Sequence, residues 1–155
     1  KLTTQPEGCV VDDRTGRLYV GEENAAIWMY DLNADAFVPQ RFANVNGVEL
    51  VADVEGLALA PTGANGGYLV ASSQGDNAYV LYDLVTGAYV NRFRLIDGLV
   101  DGTSETDGIE VMLGDFGPQY PDGLMVVQDG DNGNQTQNFK YVSWRKVLEA
   151  LEGSE

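Results

Sequence analysis

The chain has 155 residues, a formal net charge of −15 at pH 7, no histidine and one cysteine. This charge excludes binding to nucleic acid through the phosphates, which depends on Lys and Arg, and the absence of His excludes a Ser–His triad or a His-ligated zinc site. With 44% hydrophobic and 10% aromatic residues, the chain can still bury a core. Its available chemistry is therefore that of carboxylates, whose oxygens bind hard cations such as calcium.

The single cysteine and the hydropathy pattern limit the chain further. Cys9 cannot form an internal disulfide, and its place in the apolar run Cys9-Val10-Val11 predicts a buried thiol. No apolar run reaches the roughly 18 residues that a membrane-spanning helix needs, so no membrane association is predicted. The chain begins at Lys1 without a Met, from which we expect processing or excision from a longer protein.

Short β-strands are the main predicted elements along the chain. They are runs of β-branched and aromatic residues separated by Gly, Asp and Asn, which favour turns. The clearest of these runs are residues 18–20, 26–30, 68–71, 78–82 and 124–127. Further strands are predicted near residues 37–42, 88–95 and 138–142, followed by a helix over residues 143–152 that has Ser143 as its N-cap.

The strands recur as three units, each opened by an acidic residue followed by glycine: Glu7-Gly8, Glu55-Gly56 and Asp107-Gly108. A repeat of roughly 50 residues with four short antiparallel strands is typical of a β-propeller blade, whereas a parallel solenoid would not be built from hairpins. The predicted fold is therefore all-β, with blades at about 7–50, 53–98 and 105–142. Because propellers have about 4–8 blades, three blades predict part of a larger ring.

Blade topology predicts where the acidic residues meet. The start of a first strand lies beside the end of the second strand in an antiparallel hairpin. Glu7, Glu55 and Asp107 open first strands, while Glu22-Glu23, Gln74 and Asp129 end second strands. Asp53 and the loop around Asp101 are expected beside these residues, at the same end of the propeller. Such a cluster of oxygen donors without an excess of Lys or Arg predicts bound calcium.

The loop from Asp129 to Asn134 is rich in acidic residues and glycine, a composition that alone is typical of a turn. It lacks the Glu that closes an EF-hand loop. Its predicted place at this acidic end of the propeller favours a calcium site. Asp31, Asp83, Asp115 and Asp122 are interpreted as turn or strand-end residues without a site role.

Six motifs occur in order at suitable spacing over nearly the whole chain. They are residues 5–13 (QPEGCVVDD), 53–57 (DVEGL), 67–75 (GYLVASSQG), 101–109 (DGTSETDGI), 128–132 (QDGDN) and 138–140 (NFK). Together they resemble the β-propeller phytases of the Bacillus type, which are calcium-dependent 3-phytases.

The resemblance implies a six-bladed propeller, of which this chain is the C-terminal half, in a secreted (extracellular or periplasmic) bacterial protein. It implies calcium-dependent hydrolysis of phosphomonoesters on phytate (myo-inositol hexakisphosphate), with calcium phytate as substrate and several Ca²⁺ ions as cofactors. The implied partner is the missing N-terminal half, which supplies the family's phosphate-binding Lys and Arg and a Tyr near the metals. Arg14, Arg17, Arg41, Arg92 and Arg94 are expected in turns or outer strands, as surface charges.

Individual roles follow from the same resemblance. Glu7, Glu23, Asp53 and Glu55 resemble the carboxylates that hold the catalytic calcium ions. Gln74 resembles the polar neighbour in that cleft and Asp107 a further acid at its edge, so the implied catalytic residues are Glu7, Asp53, Glu55, Gln74 and Asp107. Asp101, Asp129, Asp131 and Asn132 resemble the ligands of a calcium ion that stabilises the ring, although the family usually has Glu at position 131.

Two alternatives remain open from the sequence. The first is a calcium-dependent lactonase or esterase on a six-bladed propeller, whose site would also lie at an acidic opening of the central channel. It does not account for the 101–108 motif or for Gln74. The second is a non-catalytic, calcium-stabilised propeller fragment that only binds a partner, which would agree with the missing basic residues.

Overall fold

The computed structural model describes residues 2–153, which form three antiparallel β-sheets and one helix. The first sheet contains β1 (Pro6–Asp12), β2 (Arg17–Glu22), β3 (Ala26–Asp31) and β4 (Gln40–Asn44). The second contains β5 (Val54–Thr62), β6 (Gly66–Ser73), β7 (Ala78–Asp83) and β8 (Tyr89–Phe93). The third contains β9 (Ile109–Met112), β10 (Leu124–Asp129) and β11 (Asn138–Ser143), followed by α1 (Trp144–Glu152).

Each sheet is a meander in which consecutive strands pair with one another. The all-β class is thus confirmed, and the described chain forms three antiparallel sheets. The prediction of four strands per unit is wrong for the third sheet, which has three in the described chain. The chain after β11 forms α1 because its apolar residues recur at helical spacing. Two of these residues, Trp144 and Val147, are buried on the inner face of the helix. Ser143 precedes the helix, but its side chain makes no capping hydrogen bond.

The second sheet is covered on both faces because its side chains alternate between two cores. Leu57 and Leu59 of β5 lie in a core shared with the first sheet. Ala58 and Ala60 lie in a second core, which is shared with the third sheet and α1. The three sheets therefore pack face to face in chain order, as neighbouring propeller blades do.

Glycine allows the opening strands of neighbouring sheets to approach closely. A Cβ atom on Gly8 would overlap the carbonyl oxygen of Glu55, and one on Gly56 would lie 2.7 Å from the carbonyl oxygen of Asp107. Both positions therefore exclude any larger residue unless the sheets move apart. This contact explains the repeated acid–glycine dipeptide, and it brings the acidic residues before the glycines to one edge of the stack.

The outer sheets each leave an apolar face exposed. In the first sheet, Val10 packs against the first core, so its neighbours Cys9 and Val11 point to the opposite side. Cys9 is exposed and Val11 is 41% exposed. The prediction of a buried thiol is wrong, because the apolar run alternates between the two faces of a strand that is covered on one side only. In the third sheet, Phe139 and Tyr141 are each 65% exposed.

No helix in residues 2–153 is long and apolar enough to cross a membrane.

Candidate metal and catalytic site

Five carboxylates converge where the opening strands of the three sheets meet. They are named here the acidic cluster: Glu7, Glu23, Asp53, Glu55 and Asp107. Burial raises the pKa of Glu55 to about 7, and the negative charges of Glu7, Asp107, Asp53 and Glu23 raise it further. Glu55 thus lies at the centre of the cluster, where it senses the field of the other four.

Backbone hydrogen bonds join the segments that carry the cluster. The amide of Glu23 donates to the carbonyl of Gln5 at 3.0 Å, and the amide of Val54 donates to the carbonyl of Glu23 at 2.9 Å. The amide of Gln74 donates to the carbonyl of Asp53 at 2.9 Å. The end of β2 is therefore tied to the starts of β1 and β5, as hairpin geometry predicts.

Side-chain amides lie among these carboxylates. Nε2 of Gln74 donates to Oδ1 of Asp107 at 2.8 Å, which joins the second sheet to the third. The backbone amide of Asp107 donates to Oε1 of Gln128 at 2.7 Å. Nε2 of Gln5 donates to Oε1 of Glu7. Gln5 and Gln128 carry no predicted site role, and only their presence in the quoted motifs could have indicated one.

The turn that carries Gln74 is clamped against the segment that carries Asp53. A Cβ atom on Gly75 would overlap the carbonyl oxygen of Ala52, so only glycine fits this contact. The hydroxyl of the fully buried Ser73 accepts a hydrogen bond from the amide of Val51 at 2.9 Å and lies 3.0 Å from Oδ1 of Asp76. The positions of Gln74 and Asp53 relative to each other are therefore set by packing on both sides of the turn.

Lys and Arg do not neutralise the acidic cluster: within residues 2–153, none forms an ion pair with its five members. Arg14 pairs with the buried Asp12 at 2.8 Å and lowers the pKa of that carboxyl. Arg92 and Arg94 pair with Asp76. Arg17, expected in a turn or outer strand, instead begins β2, where it donates to the carbonyl of Leu84.

Glu22 differs from its neighbour Glu23 although the two are adjacent in sequence. Alternation along β2 places Glu22 on the face opposite Tyr19 and the first core, where its buried carboxylate accepts hydrogen bonds from the amide of Thr4 at 2.7 Å, from Thr3 and from Nε1 of Trp28 at 2.6 Å. The Thr4 amide and these other donors lower the pKa of Glu22 to about 2. Glu22 is thus a satisfied structural carboxylate, whereas Glu23 remains in the acidic cluster.

A second group of carboxylates lines a cleft of about 210 Å³ between the 95–104 loop and the end of β10. It is named here the acidic cleft, and its acids are Asp97, Asp101, Asp129 and Asp131. Nζ of Lys140 lies 2.7 Å from Oδ1 of Asp101 and 3.2 Å from Oδ2 of Asp129. Hydrogen bonding to Lys140 lowers the pKa of Asp101.

The cleft matches the predicted set in part. Asp101, Asp129 and Asp131 lie together, but Asn132 does not line the cleft, since its Nδ2 donates to the carbonyl of Thr136 at 2.7 Å. Asp97 and Lys140 carry no predicted role. Asp97 precedes a glycine, a pattern typical of a turn, so its sequence context indicates no site. Lys140 lies in the 138–140 motif, which is the sequence feature that could have indicated a role for it.

The donor chemistry of both groups suits calcium, because every ligating atom offered is a carboxylate or amide oxygen. Oδ2 of Asp129 is buried, and no donor of the described chain forms a hydrogen bond with it, although Lys140 lies near it. Within residues 2–153, no three acidic or cysteine side chains are placed so that they could hold one ion together. Any calcium ion would therefore have to draw the carboxylates closer than they stand without one.

Comparison with known proteins identifies similar chains. The family model described as Phytase matches residues 1–155. The chain is 45% identical over 160 residues to a 3-phytase of Bacillus subtilis (strain 168), an alignment that covers 97% of this chain and 41% of the relative. The chain thus spans about two fifths of the length of this curated relative.

Proposed function

The chain belongs to the phytase family, and from this premise we propose that the protein containing it hydrolyses phosphomonoesters of phytate with the help of calcium. The observation that carries the proposal is the acidic cluster: five carboxylates converge on Glu55, whose pKa rises to about 7, without a Lys or Arg among them in the described chain. A phosphate-rich substrate would be repelled by this cluster unless cations lay between the two, which is the reason for including calcium in the proposal.

In this proposal Glu7, Glu23, Asp53 and Glu55 hold the catalytic calcium ions. Bound calcium would supply a water of lowered pKa and positive charge facing the phosphate oxygens. Glu7 would accept a hydrogen bond from the attacking water and so orient it. Gln74 would hold Asp107 at the edge of the site through the hydrogen bond from Nε2 to Oδ1. No covalent enzyme intermediate is needed, and this chain contributes no His to the site, because its sequence contains none.

The acidic cleft is proposed as the site of a stabilising calcium ion, held by Asp101, Asp129 and Asp131. The buried Oδ2 of Asp129, which receives no hydrogen bond from the described chain, supports this role. Asn132 could join only after releasing the carbonyl of Thr136. Lys140 would be displaced from between Asp101 and Asp129, since its ammonium occupies the position of a counterion.

We further propose that the rest of a six-bladed propeller covers the exposed apolar faces of the first and third sheets. Cys9 and Val11 on one side and Phe139 and Tyr141 on the other would become buried by neighbouring blades. The same missing part would supply the basic residues that grip phosphate, because the Arg residues Arg14, Arg92 and Arg94 are engaged with Asp12 and Asp76. The parent protein is proposed to be secreted by a bacterium, as the resemblance implies.

The non-catalytic alternative applies to the isolated chain. With Arg14, Arg92 and Arg94 engaged with Asp12 and Asp76, and with the other blades absent, the 155-residue chain is expected to turn over little phytate. The lactonase or esterase alternative finds no support in the family match.

The test uses the full-length parent protein. Phosphate release from phytate is measured with excess calcium and again after chelation, beside hydrolysis of a lactone and of a simple carboxylic ester. We expect phytate hydrolysis that disappears on chelation and returns with calcium, without matching lactone or ester turnover. Phytate hydrolysis that persists after complete chelation would contradict the role of calcium, and lactone turnover alone would contradict the substrate.

A further inference from the structure

A buried hydroxyl group lies between the acidic cluster and the acidic cleft and belongs to neither. The hydroxyl of Tyr79, on β7, lies 2.6 Å from Oγ1 of Thr103 and 2.7 Å from Oγ1 of Thr106. Tyr79 is only 1% exposed, and both threonines are buried. A tyrosine hydroxyl can donate one hydrogen bond and accept another, so a single oxygen satisfies both threonines.

The two threonines lie on the segment that joins the two acidic groups. This segment begins at Asp101 in the cleft and ends at Asp107 in the cluster, and it contains no helix or strand. A segment without regular structure depends on side-chain contacts for its position. Ser72 adds one such contact, since its hydroxyl donates to the carbonyl of Thr106 at 2.8 Å.

The middle of the segment is also bonded to the cleft. The amide of Ser104 donates to Oδ1 of Asp129 at 3.1 Å, and its hydroxyl donates to the carbonyl of Asp131 at 3.1 Å. A shift of the threonines would therefore move Ser104 and, with it, the carboxylates of the cleft. At the other end Thr106 directly precedes Asp107, so the same shift would move an acid of the cluster.

We propose that Tyr79 is a positioning residue that holds Asp101 and Asp107 in place together, so that one buried hydroxyl sets the calcium affinity of both acidic groups without touching either ion. The proposal rests on the proposed function, because it presumes calcium at both groups. Tyr79 acts through Thr103 and Thr106, and its burial keeps it away from substrate. Burial also raises the pKa of Tyr79, which keeps the hydroxyl protonated and able to donate.

The chain offers a matched control on the same strand. Tyr82 is also buried, but it faces the first core, and within the described chain its hydroxyl accepts and donates no hydrogen bond. Tyr79→Phe and Tyr82→Phe each remove one hydroxyl from a buried tyrosine of β7. The first removal leaves two threonine hydroxyls without their partner, and the second leaves the acidic groups and their connecting segment unchanged.

The experiment is carried out on the full-length parent protein with three readouts as a function of free calcium: thermal midpoint, calcium binding by calorimetry, and phytate hydrolysis. For Tyr79→Phe we expect the calcium concentrations for half-maximal thermal protection and half-maximal activity to rise by about tenfold, as for other groups that orient metal ligands. The value of kcat at saturating calcium should stay within about twofold of the parent. Tyr82→Phe should leave both calcium midpoints unchanged.

A second pair of variants distinguishes the effect of losing the hydrogen bond from the effect of losing side-chain packing. Thr106→Ser keeps the hydroxyl and should behave as the parent, whereas Thr106→Val keeps the shape, removes the hydroxyl and should reproduce the calcium shift of Tyr79→Phe. Hydrogen exchange of residues 101–107 should become faster in Tyr79→Phe and in Thr106→Val only.

The proposal is overturned if Tyr79→Phe lowers the thermal midpoint equally at every calcium concentration and leaves the calcium midpoints of binding and activity in place, because the hydroxyl would then serve stability alone. Failure of the proposed function is visible separately, in the parent protein. If calcium affects neither its activity nor its thermal midpoint, the calcium proposal and the role of Tyr79 fall together.

Discussion

The acidic cluster and the acidic cleft contain the same kind of side chain but differ in their counterions. The cleft has Lys140 between Asp101 and Asp129, and the pKa of Asp101 falls. The cluster has no such cation in the described chain, and the pKa of Glu55 rises to about 7. Carboxylates in the two groups therefore have pKa shifts of opposite direction: burial and the neighbouring charges raise that of Glu55, whereas Lys140 lowers that of Asp101. The group without an internal cation is the one that most requires an external one.

The largest expected effect concerns the cluster. In the full-length parent, Asp53→Ala and Glu55→Ala should each lower phytate hydrolysis by at least about 100-fold, because direct metal ligands matter more than the residues that orient them. Phosphate release at saturating calcium is the measurement. Asp83→Ala is the control, since Asp83 accepts hydrogen bonds from its own turn at Val85 and Thr86 and should change activity little. Equal losses in all three variants would contradict the difference between cluster and turn acids.

Removing the internal cation should make the cleft resemble the cluster. In calcium-free parent protein, Lys140→Met should lower the free energy of unfolding, because the buried Asp129 loses the ion-pair partner that it has in the described chain. Added calcium should restore most of this loss. Denaturant unfolding with and without calcium measures both effects.

The control for this prediction is Arg145→Met. Arg145 pairs with Asp122, and both side chains are about half exposed, so the loss of stability should be much smaller than for Lys140→Met. A Lys140→Met variant that is as stable as the parent without calcium would show that Lys140 does not balance the cleft.

Glu22 provides a third kind of carboxylate, satisfied by hydrogen bonds in place of a cation. Its pKa falls to about 2 in the folded protein, so the folded state keeps it ionised where the unfolded state takes up a proton. Its contribution to stability is present above the ordinary carboxyl pKa of about 4.5 and is lost as pH falls towards 2. Glu22→Gln should therefore reduce the slope of stability against pH between these values, and an unchanged slope would contradict the assignment.

The smallest expected effect concerns position 131, where the resembling family usually has Glu. Asp131 is exposed, and its Oδ1 accepts a hydrogen bond from the amide of Gly133 at 3.1 Å. In Asp131→Glu the longer side chain should reach further into the cleft and lower the calcium concentration for half-maximal thermal protection by about two- to threefold. Activity at saturating calcium should stay the same. Weaker thermal protection in this variant would place the ion away from Asp131.

Much of the fold could be predicted because each unit repeats the same local pattern. The acid–glycine dipeptides indicated both the period and the edge at which Glu7, Glu55 and Asp107 meet. The prediction was wrong for Cys9, because hydropathy along a run cannot say which face of a strand has a neighbour. It also missed the difference between Glu22 and Glu23, which depends on the alternation of β2 and on donors near the start of the chain.

Side-chain pairings were the least predictable part of the site. Lys140 lies far from Asp101 in sequence, and their contact depends on how the 95–104 loop folds over β11. Asn132 follows Asp131 directly, yet it turns towards Thr136 because its amide finds a backbone carbonyl there. A motif can therefore indicate a neighbourhood, but the ligands within it depend on rotamers and loop closure.

The exposed apolar faces of the outer sheets have a consequence for the behaviour of the isolated chain in solution. Its charge of −15 keeps copies apart at low ionic strength. Salt shortens the range of this repulsion to about 3 Å at 1 M, while the attraction between apolar faces remains. The isolated chain is therefore expected to dimerise or precipitate as salt rises, in contrast to most acidic proteins, and calcium should promote the same association at far lower concentrations.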